Sequence, residues 1–290
     1  MYMKILSKKL KLFFIYLFII FEVLLSFIYN LINYKIILQR RLNISNFFSN
    51  IYSNLFYLNK FRKALRPAKN LNYKGKIYSI NNKGICLCTI CKNENLYLRE
   101  YVEYYRLLGF DRIIIFDNND INGETIDNLL KEYILNKFVE IIDIRGLKAV
   151  QIGAYNYCYK SNNNSYDWIA FFDLDEYIYI KNNLNITNYL NNIRFQKCQS
   201  ILLNWHIYDD NNLVKYDNRT LLERFNRIKI KSSRAKSILR GGQNNIIISS
   251  VHILAININY FCDSRGNRIF PNSFLVAKYN NNNLAYISYI

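Results

Sequence analysis

The sequence has little proline and little glycine: two Pro and nine Gly in 290 residues. This scarcity excludes collagen-like proteins and proline-rich linkers. Hydrophobic residues make up 51% of the chain and charged residues 21%, so a large core can be buried and global disorder is excluded. A chain of this length accommodates one large domain, or one domain with an anchoring segment.

Cysteine is also sparse. Six cysteines are too few for a disulfide framework in a chain this long. Three of them, Cys86, Cys88 and Cys91, lie within six residues, which raises the question of a zinc site. A fourth ligand is missing nearby, and the first two thiols belong to an apolar run. We therefore interpret the three as small buried hydrophobic residues on a strand, with zinc as the alternative.

Acidic residues are almost absent from the first part of the chain. Residues 1–84 contain 15 Lys and Arg against the single acid Glu22, whereas residues 85–290 contain 24 against 20 acids. Basic residues interleaved with aromatics can follow a nucleic-acid backbone, but no nucleic-acid motif accompanies them. A basic stretch beside a membrane explains the same charges, so we expect a membrane surface and no nucleic acid as partner.

Residues 12–29 form an apolar run of 18 residues with one charge, Glu22. This length is at the lower limit for a spanning helix, and the central Glu costs about 2.5 kcal/mol or more on insertion. We expect residues 1–40 to be a membrane anchor, either a short signal-anchor or an interfacial helix; a buried helix of a soluble domain is the alternative. Residues 41–84 are then a basic spacer, and the folded domain is expected on the cytoplasmic face.

From residue 85 onward, short apolar runs alternate with segments of helical spacing. The sequence predicts strands over residues 85–90, 112–116, 138–142 and 168–172, and helices over 96–108, 125–137 and 149–160. Continuous apolar strands alternating with helices are typical of a parallel sheet covered on both faces. We predict an α/β fold, Rossmann-like, with a mostly parallel sheet and helices on both faces.

Polar clusters follow three of the predicted strands: Lys92-Asn93-Glu94, Asp117-Asn118 and Asp173 to Glu176. Right-handed crossovers bring the carboxyl ends of parallel strands to one edge of the sheet. Open α/β sheets bind their ligands at that edge. The three clusters are therefore expected to form one ligand site.

Two acids two residues apart, Asp173 and Asp175, directly follow the apolar strand. At a strand end, residues with this spacing project to one side. Two hard oxygen ligands without a neighbouring His or Cys suit Mg²⁺ or Mn²⁺, and such sites leave positions for phosphate oxygens. The pair predicts a metal–diphosphate site, with a solvated pair of loop acids as the alternative.

Several motifs together resemble a known family of enzymes. They are CTICKNE at 88–94, LREYVEYY at 98–105, LGFD at 108–111, IFDNND at 115–120, residues 151–155, and DWIAFFDLDE at 167–176. They resemble the family-2-like, DUF23 (family-92-related) glycosyltransferases, as do the later segments NW at 204–205, DDNNL at 209–213, LERF at 222–225, KSI at 236–238 and SVH at 250–252. The resemblance implies a GT-A fold over residues 85–290, a nucleotide-sugar donor and Mn²⁺ or Mg²⁺.

The resemblance also suggests roles for individual residues. Residues 85–180 become the nucleotide-sugar half, whose donor-binding residues, together with one from the later half, are Lys92, Asn93, Glu94, Asp117, Asn118, Gln151 and Lys236. Asp173, Asp175 and His252 become the metal ligands. Residues 181–290 form the acceptor half, in which Asp210 or Glu223 is the candidate general base.

The leading hypothesis is a metal-dependent, inverting glycosyltransferase of the hexosyltransferase type. It would move a sugar from a nucleoside-diphosphate sugar to a glycan or glycolipid acceptor, in surface polysaccharide or lipid-linked glycan synthesis. The first alternative is a membrane-associated nucleotide-binding protein without turnover. The second is a nucleotidyltransferase, although the sequence has no Gly-rich phosphate loop.

Overall fold

A computed structural model describes residues 75–79, 81–210, 212–213, 215, 218–252, 257–269 and 283–290. The expected membrane anchor and nearly all of the basic spacer lie outside these residues. Within the described part of the chain, none of the helices combines the length and the apolar character needed to cross a bilayer.

The described residues form ten strands and five α-helices. The strands are β1 Ile85–Cys91, β2 Arg112–Asp117, β3 Val139–Asp143, β4 Trp168–Phe171, β5 Glu176–Ile180, β6 Ser200–Asp209, β7 Arg227–Arg240, β8 Phe261–Cys262, β9 Arg268–Ile269 and β10 Ala285–Tyr289. The helices are α1 Asn95–Leu108, α2 Lys131–Leu135, α3 Gln151–Asn162, α4 Ile186–Leu190 and α5 Leu221–Arg224, with 3-10 turns at Lys181–Asn183 and Ile193–Phe195.

All the described strands belong to one mixed sheet with the order β3-β2-β1-β4-β7-β6-β10-β5, to which β8 and β9 are added beside β6. The first four strands are parallel, as predicted. Beyond them β7 is antiparallel to both β4 and β6, and β10 is parallel to β6 but antiparallel to β5. The expectation of a mostly parallel sheet therefore holds for the first half only.

The connection between β6 and β7 explains why these two strands are antiparallel. A parallel pairing needs a crossover, usually a helix that packs on the sheet. The described residues of this connection form only the four-residue helix α5. The N–H of Leu221, its first residue, donates to the Glu100 carboxylate on α1 at 2.8 Å. The chain therefore returns alongside β6 as the long antiparallel strand β7.

The predicted helix over residues 125–137 is shorter than expected. Only Lys131–Leu135 is α-helical, and a turn precedes it. Ile126 and Leu130 are both fully buried in the core, and Asp127 and Asn128 are weak helix formers. Burial of the two apolar side chains decides the backbone path here, overriding the periodic pattern.

The core lies on both faces of the sheet, as predicted. Helix α1 buries Leu98, Tyr101, Val102 and Tyr105 on one face, and it ends at Gly109 in the left-handed conformation, with φ of 96°. Helix α3 buries Ala154, Tyr155, Cys158 and Tyr159 on the other face. Each large apolar side chain buried in this way contributes about 1.5–3 kcal/mol relative to exposure.

The three clustered cysteines of β1 are divided between these faces. Cys86 and Cys88 pack with Cys158 on the α3 side, whereas Cys91 packs on the α1 side. Among the described residues, no three or more His, Cys, Asp or Glu side chains form a group that could hold a metal ion. The split supports the interpretation of these thiols as buried strand residues.

One disulfide, between Cys198 and Cys262, links two segments that are 64 residues apart. It joins the start of β6 to β8, where Cys262 is paired with Ile201. The small number of cysteines excludes a framework of disulfides but does not reveal this pair, because no local pattern indicates which two thiols meet. The other four cysteines are free and buried.

We predict that Cys198→Ala/Cys262→Ala lowers the free energy of unfolding by about 2–4 kcal/mol, because the disulfide closes a long loop in the unfolded chain. Urea denaturation measures the loss. In addition, alkylation of the denatured, unreduced protein should label four of the six cysteines. Labelling of all six under these conditions would show that the disulfide does not form.

A second feature of the sheet concerns the buried ring of His206 on β6. This ring stacks on Tyr286 of β10, with 3.7 Å between the ring centroids. Burial, together with the charges of Lys231 and Lys181, lowers the pKa of His206 to about 4. The folded protein therefore keeps a neutral imidazole at pH values where a solvated histidine is charged.

We predict that His206 makes the protein less stable in mild acid. The unfolded state binds a proton near pH 6.5 but the folded state only near pH 4, so stability is lost as pH falls between these values, by about 3 kcal/mol in total. His206→Phe keeps an aromatic ring on Tyr286 without a titrating group. The midpoint of urea unfolding should therefore decrease less from pH 7 to pH 5 in this variant than in the wild type. An equal decrease in both proteins contradicts the assignment.

Candidate active site

The two predicted metal-binding acids lie in the tight turn that joins β4 to β5. Strand β4 ends at Phe171, and the Glu176 N–H donates to the Asp173 carbonyl at 3.1 Å, which closes the turn. Leu174, between the two acids, is buried and anchors the turn in the core. Asp173 and Asp175 are neighbours because of this turn; the strand pleat that we expected does not place them.

Asp173 is held by three side-chain donors. Its Oδ1 accepts from Gln151 Nε2 and from the Tyr155 hydroxyl, both at 2.8 Å. Its Oδ2 accepts from Lys236 Nζ at 2.5 Å. Gln151 and Tyr155 are one helical turn apart on α3, so one helix face presents both donors. Both carboxylate oxygens of Asp173 are thus fixed by the fold.

Beneath Asp173 lies a buried ion pair between Lys236 of β7 and Glu176 of β5. Both side chains are fully buried, and Lys236 Nζ is 3.1 Å from Glu176 Oε2. The same Glu176 oxygen accepts from the backbone N–H of Asp173 at 2.8 Å. Burial works to lower the pKa of Lys236, but the facing carboxylates of Glu176 and Asp173 outweigh it and keep the pKa above its usual value.

Asp175 is in a different environment. Burial raises the pKa of its carboxyl to about 6, and the neighbouring charge of Asp173 adds to the rise. The Asp175 carboxylate accepts a hydrogen bond from its own backbone N–H, and its carbonyl accepts from the Ile290 N–H at 3.0 Å. The two acids of the motif are therefore unequal: the fold fixes the first carboxylate, while the second is partly desolvated.

A third acid, Glu94 at the start of α1, belongs to the same cluster. Burial raises the pKa of Glu94 to about 7, and the charges of Asp175 and Asp173 contribute to the rise. Its Oε2 accepts from the Lys92 N–H at 3.1 Å. The expected convergence of the β1 and β4 ends is thus present.

The loop after β1 is locked to the loop after β2. Asn93 has a left-handed backbone, with φ of 58°, and its N–H donates to Asn119 Oδ1 at 2.7 Å. Lys92 forms an ion pair with Asp120 at 3.2 Å. The structure therefore brings together the first two polar clusters, as the sheet topology predicted.

The cluster after β2 is mostly buried. Asp117 Oδ1 accepts from the Asn119 N–H at 3.0 Å, and Arg145 Nε lies 3.7 Å from Asp117 Oδ2. Burial raises the pKa of Asp117, while the Asn119 N–H and Arg145 oppose the rise. The side-chain amide of Asn118 donates to the backbone carbonyls of Leu147 and Ile144.

Aromatic rings lie on the other side of Asp175. Tyr289 stacks on Trp205, with 4.6 Å between ring centroids, and Asp175 is the largest cause of the raised pKa of Tyr289. The His252 ring meets Trp205 edge-on at 5.1 Å, and the pKa of His252 is lowered by burial and by Lys236, while the charge of Asp173 opposes this. His252 therefore adjoins the acid cluster.

The two candidate bases lie on exposed segments. Asp210 follows the end of β6 and accepts from the Asn212 N–H at 3.1 Å. Glu223 forms a capping box with Thr220 at the start of α5, where its Oε2 accepts from the Thr220 N–H at 2.9 Å. The role of either as a base stays a prediction.

Sequence reasoning missed two residues of this site, Tyr155 and Glu176. Tyr155 had a local signal, because it lies four residues after Gln151 on a predicted helix and so shares its face. Glu176 is the last residue of the DLDE motif. Its contact with Lys236 depends on two strands that are distant in sequence, so no local pattern indicates it.

With this geometry in place, comparison with known proteins gives the family. The family model for glycosyltransferase family 92 matches residues 82–285, which is well over half of the chain. The chain belongs to glycosyltransferase family 92. This confirms the resemblance to family 92 inferred from the motifs, while the metal-binding role of the DLDE motif stays a prediction.

Three relatives in this family are plant proteins. The chain is 24% identical over 151 residues to a family 92 protein of Ricinus communis, 25% over 126 residues to one of Oryza sativa subsp. japonica, and 33% over 98 residues to one of Arabidopsis thaliana. These matches cover 46%, 43% and 33% of this chain but only 27%, 20% and 16% of the relatives. The chain thus matches about a quarter or less of the length of these relatives.

Among solved structures, the chain is similar to residues 1–349 of S. aureus TarS. The TM-score is 0.36 at 12% identity, covering 54% of this chain and 47% of that one. The same fragment in complex with UDP gives the same TM-score and identity. A likeness at this level carries no argument about the site.

We predict that Lys236→Met strongly destabilises this family 92 protein. The change leaves two carboxylates without their buried counter-charge, and removing one partner of a buried ion pair costs about 3–5 kcal/mol. Lys229→Met is the matched control, because Lys229 is exposed on the same strand. Urea denaturation of both variants measures the difference, and equal stability of the two would contradict the importance of the pair.

Proposed function

We propose that this chain transfers a sugar from a nucleoside-diphosphate sugar to a hydroxyl of a glycan or glycolipid, with inversion, at a GT-A site centred on the β4–β5 turn. The observation that carries the proposal is the cluster of Glu94, Asp173 and Asp175. The cluster lies at the carboxyl ends of the parallel strands β1 and β4, where open α/β sheets bind ligands. Membership of a glycosyltransferase family supports the type of reaction.

Asp175 and Asp173 are the residues that would hold Mn²⁺ or Mg²⁺, with His252 beside them. Carboxylate oxygens are the donor type that these cations prefer, and Mg²⁺ is commonly held by one or two carboxylates together with substrate phosphates. The pair fits this pattern in the type and number of its donors, two carboxylates in one tight turn. A bound cation supplies positive charge for the departing diphosphate.

The loops after β1 and β2 are proposed to bind the nucleoside of the donor. Lys92, Asn93, Asp117 and Asn118 lie on these interlocked loops. Because their backbones are already fixed by contacts between the loops, little conformational entropy is lost when a ligand binds. Gln151 supports the same site through its bond to Asp173.

The acceptor hydroxyl needs a base on the side opposite the leaving group. Asp210 and Glu223 are proposed for this role from the acceptor half. Glu94 competes with them, because it lies in the acid cluster and has a pKa of about 7, close to the value at which a base works well at neutral pH.

We also propose membrane association through residues 12–29, which lie outside the described part of the chain. Which face of the membrane carries the enzyme is a separate question. The Cys198–Cys262 disulfide is a bond that persists in oxidising compartments. It therefore favours an extracytoplasmic position over the cytoplasmic face that we expected.

A screen of nucleoside-diphosphate sugars with the full chain and Mn²⁺ tests the function. We predict that one donor is consumed, that EDTA abolishes transfer, and that Asp175→Asn lowers kcat/KM by about 100-fold or more, because metal stabilisation of the transition state is worth several kcal/mol. Asp127→Asn, a change of an exposed acid outside the site, is the control and should keep activity.

Three results would contradict parts of this proposal. Full activity in EDTA would contradict the role of the cation. Donor binding without transfer to any acceptor would favour a nucleotide-binding protein without turnover. Retention of the donor's anomeric configuration, measured by NMR of the product, would contradict a single displacement assisted by one base.

A further inference from the structure

The buried pair of Lys236 and Glu176 calls for a physical explanation. Both side chains are fully buried, so neither is exposed to a ligand approaching the β4–β5 turn. Burying two charges costs much of their hydration, and replacing a buried ion pair by apolar residues is often neutral or stabilising. Stability alone therefore does not account for an ion pair at this place.

The contacts of the pair all converge on one residue. Lys236 Nζ donates to the Asp173 carboxylate at 2.5 Å, and Glu176 Oε2 accepts from the Asp173 N–H at 2.8 Å. The lysine thus fixes the side chain of Asp173 while the glutamate fixes its main chain, and the 3.1 Å contact between them ties the two together. Gln151 and Tyr155 bind the opposite carboxylate oxygen. Any rotation of the Asp173 carboxylate breaks at least one of these bonds.

We propose that Lys236 and Glu176 are positioning residues, which hold Asp173 in the one orientation that lets it share a divalent cation with Asp175. The inference rests on the proposed function, because it concerns the cation of that same site. It replaces the expectation that Lys236 contacts the donor diphosphate, since the Lys236 ammonium is buried against two carboxylates. The pair acts on the cation only through Asp173.

The test is the charge-neutral double variant Glu176→Gln/Lys236→Met in the full chain. Both fully buried charges are removed together, so the net charge of the site is unchanged and the remaining carboxylate, that of Asp173, is partly exposed to water. Circular dichroism should therefore show a folded protein. The probe is Mn²⁺ alone, without donor or acceptor, with free Mn²⁺ measured by electron paramagnetic resonance. We expect the Mn²⁺ affinity to fall about tenfold or more, as for other residues that orient a metal ligand.

Two further variants make the result specific. Asp175→Asn should lose Mn²⁺ binding, whereas Lys229→Met should bind Mn²⁺ as the wild type does. Wild-type affinity in the double variant, together with lost binding in Asp175→Asn, would overturn the positioning role and leave the cation site intact. Unchanged binding in both, or a wild type that does not bind Mn²⁺, would overturn the cation site and the positioning role together.

A second route covers the case in which the double variant does not fold. Tyr155→Phe removes one donor from the other Asp173 oxygen and keeps the buried ring. If the orientation of Asp173 sets the cation affinity, this smaller change should weaken Mn²⁺ binding several-fold with little loss of stability. Unchanged Mn²⁺ affinity in folded Tyr155→Phe would overturn the proposal.

Discussion

The structure of the site depends on one constraint: the charge of a buried lysine must be paired. Lys236 can meet Asp173 and Glu176 only if β7 lies next to β4, where Ser237 pairs with Phe171, the last residue of that strand. An antiparallel β7 places Lys236 just past this end, level with the turn. The antiparallel strand β7, which departs from a mostly parallel sheet, thus supplies the buried ammonium group of Lys236.

The local parts of the fold could be predicted from the sequence. The apolar runs of β1 to β4 and the helix that ends at Gly109 are visible in patterns that span fewer than fifteen residues. The position of β7, the place of β10 and the disulfide could not be predicted, because each depends on segments that are distant in sequence. The failed prediction of a long helix before β3 has the same origin, since tertiary burial of Ile126 and Leu130 decides that segment.

Only the part of the site that depends on local sequence could be predicted. The motif indicates two acids, but nothing in the sequence distinguishes the role of Asp173 from that of Asp175. Their difference arises from donors on α3 and β7, and the Lys236 contact spans 63 residues. The sequence does not decide between Asp210 and Glu223, and their hydrogen bonds do not either: Asp210 accepts from the Asn212 N–H in its own loop, and Glu223 caps the start of α5. The acceptor half is therefore the part of the site for which sequence and fold say least.

The second acid is held by the sheet in a different way from the first. The Ile290 N–H donates a hydrogen bond to the Asp175 carbonyl. The preceding residue, Tyr289, is on β10, which lies between β5 and β6 in the sheet. The first acid depends on β7 and the second on β10, two strands that reach the sheet from far along the chain. The acids therefore acquire their final geometry only once both strands have paired. The cation binding proposed at the β4–β5 turn should accordingly be a property of the completed sheet and be absent from a partly folded chain.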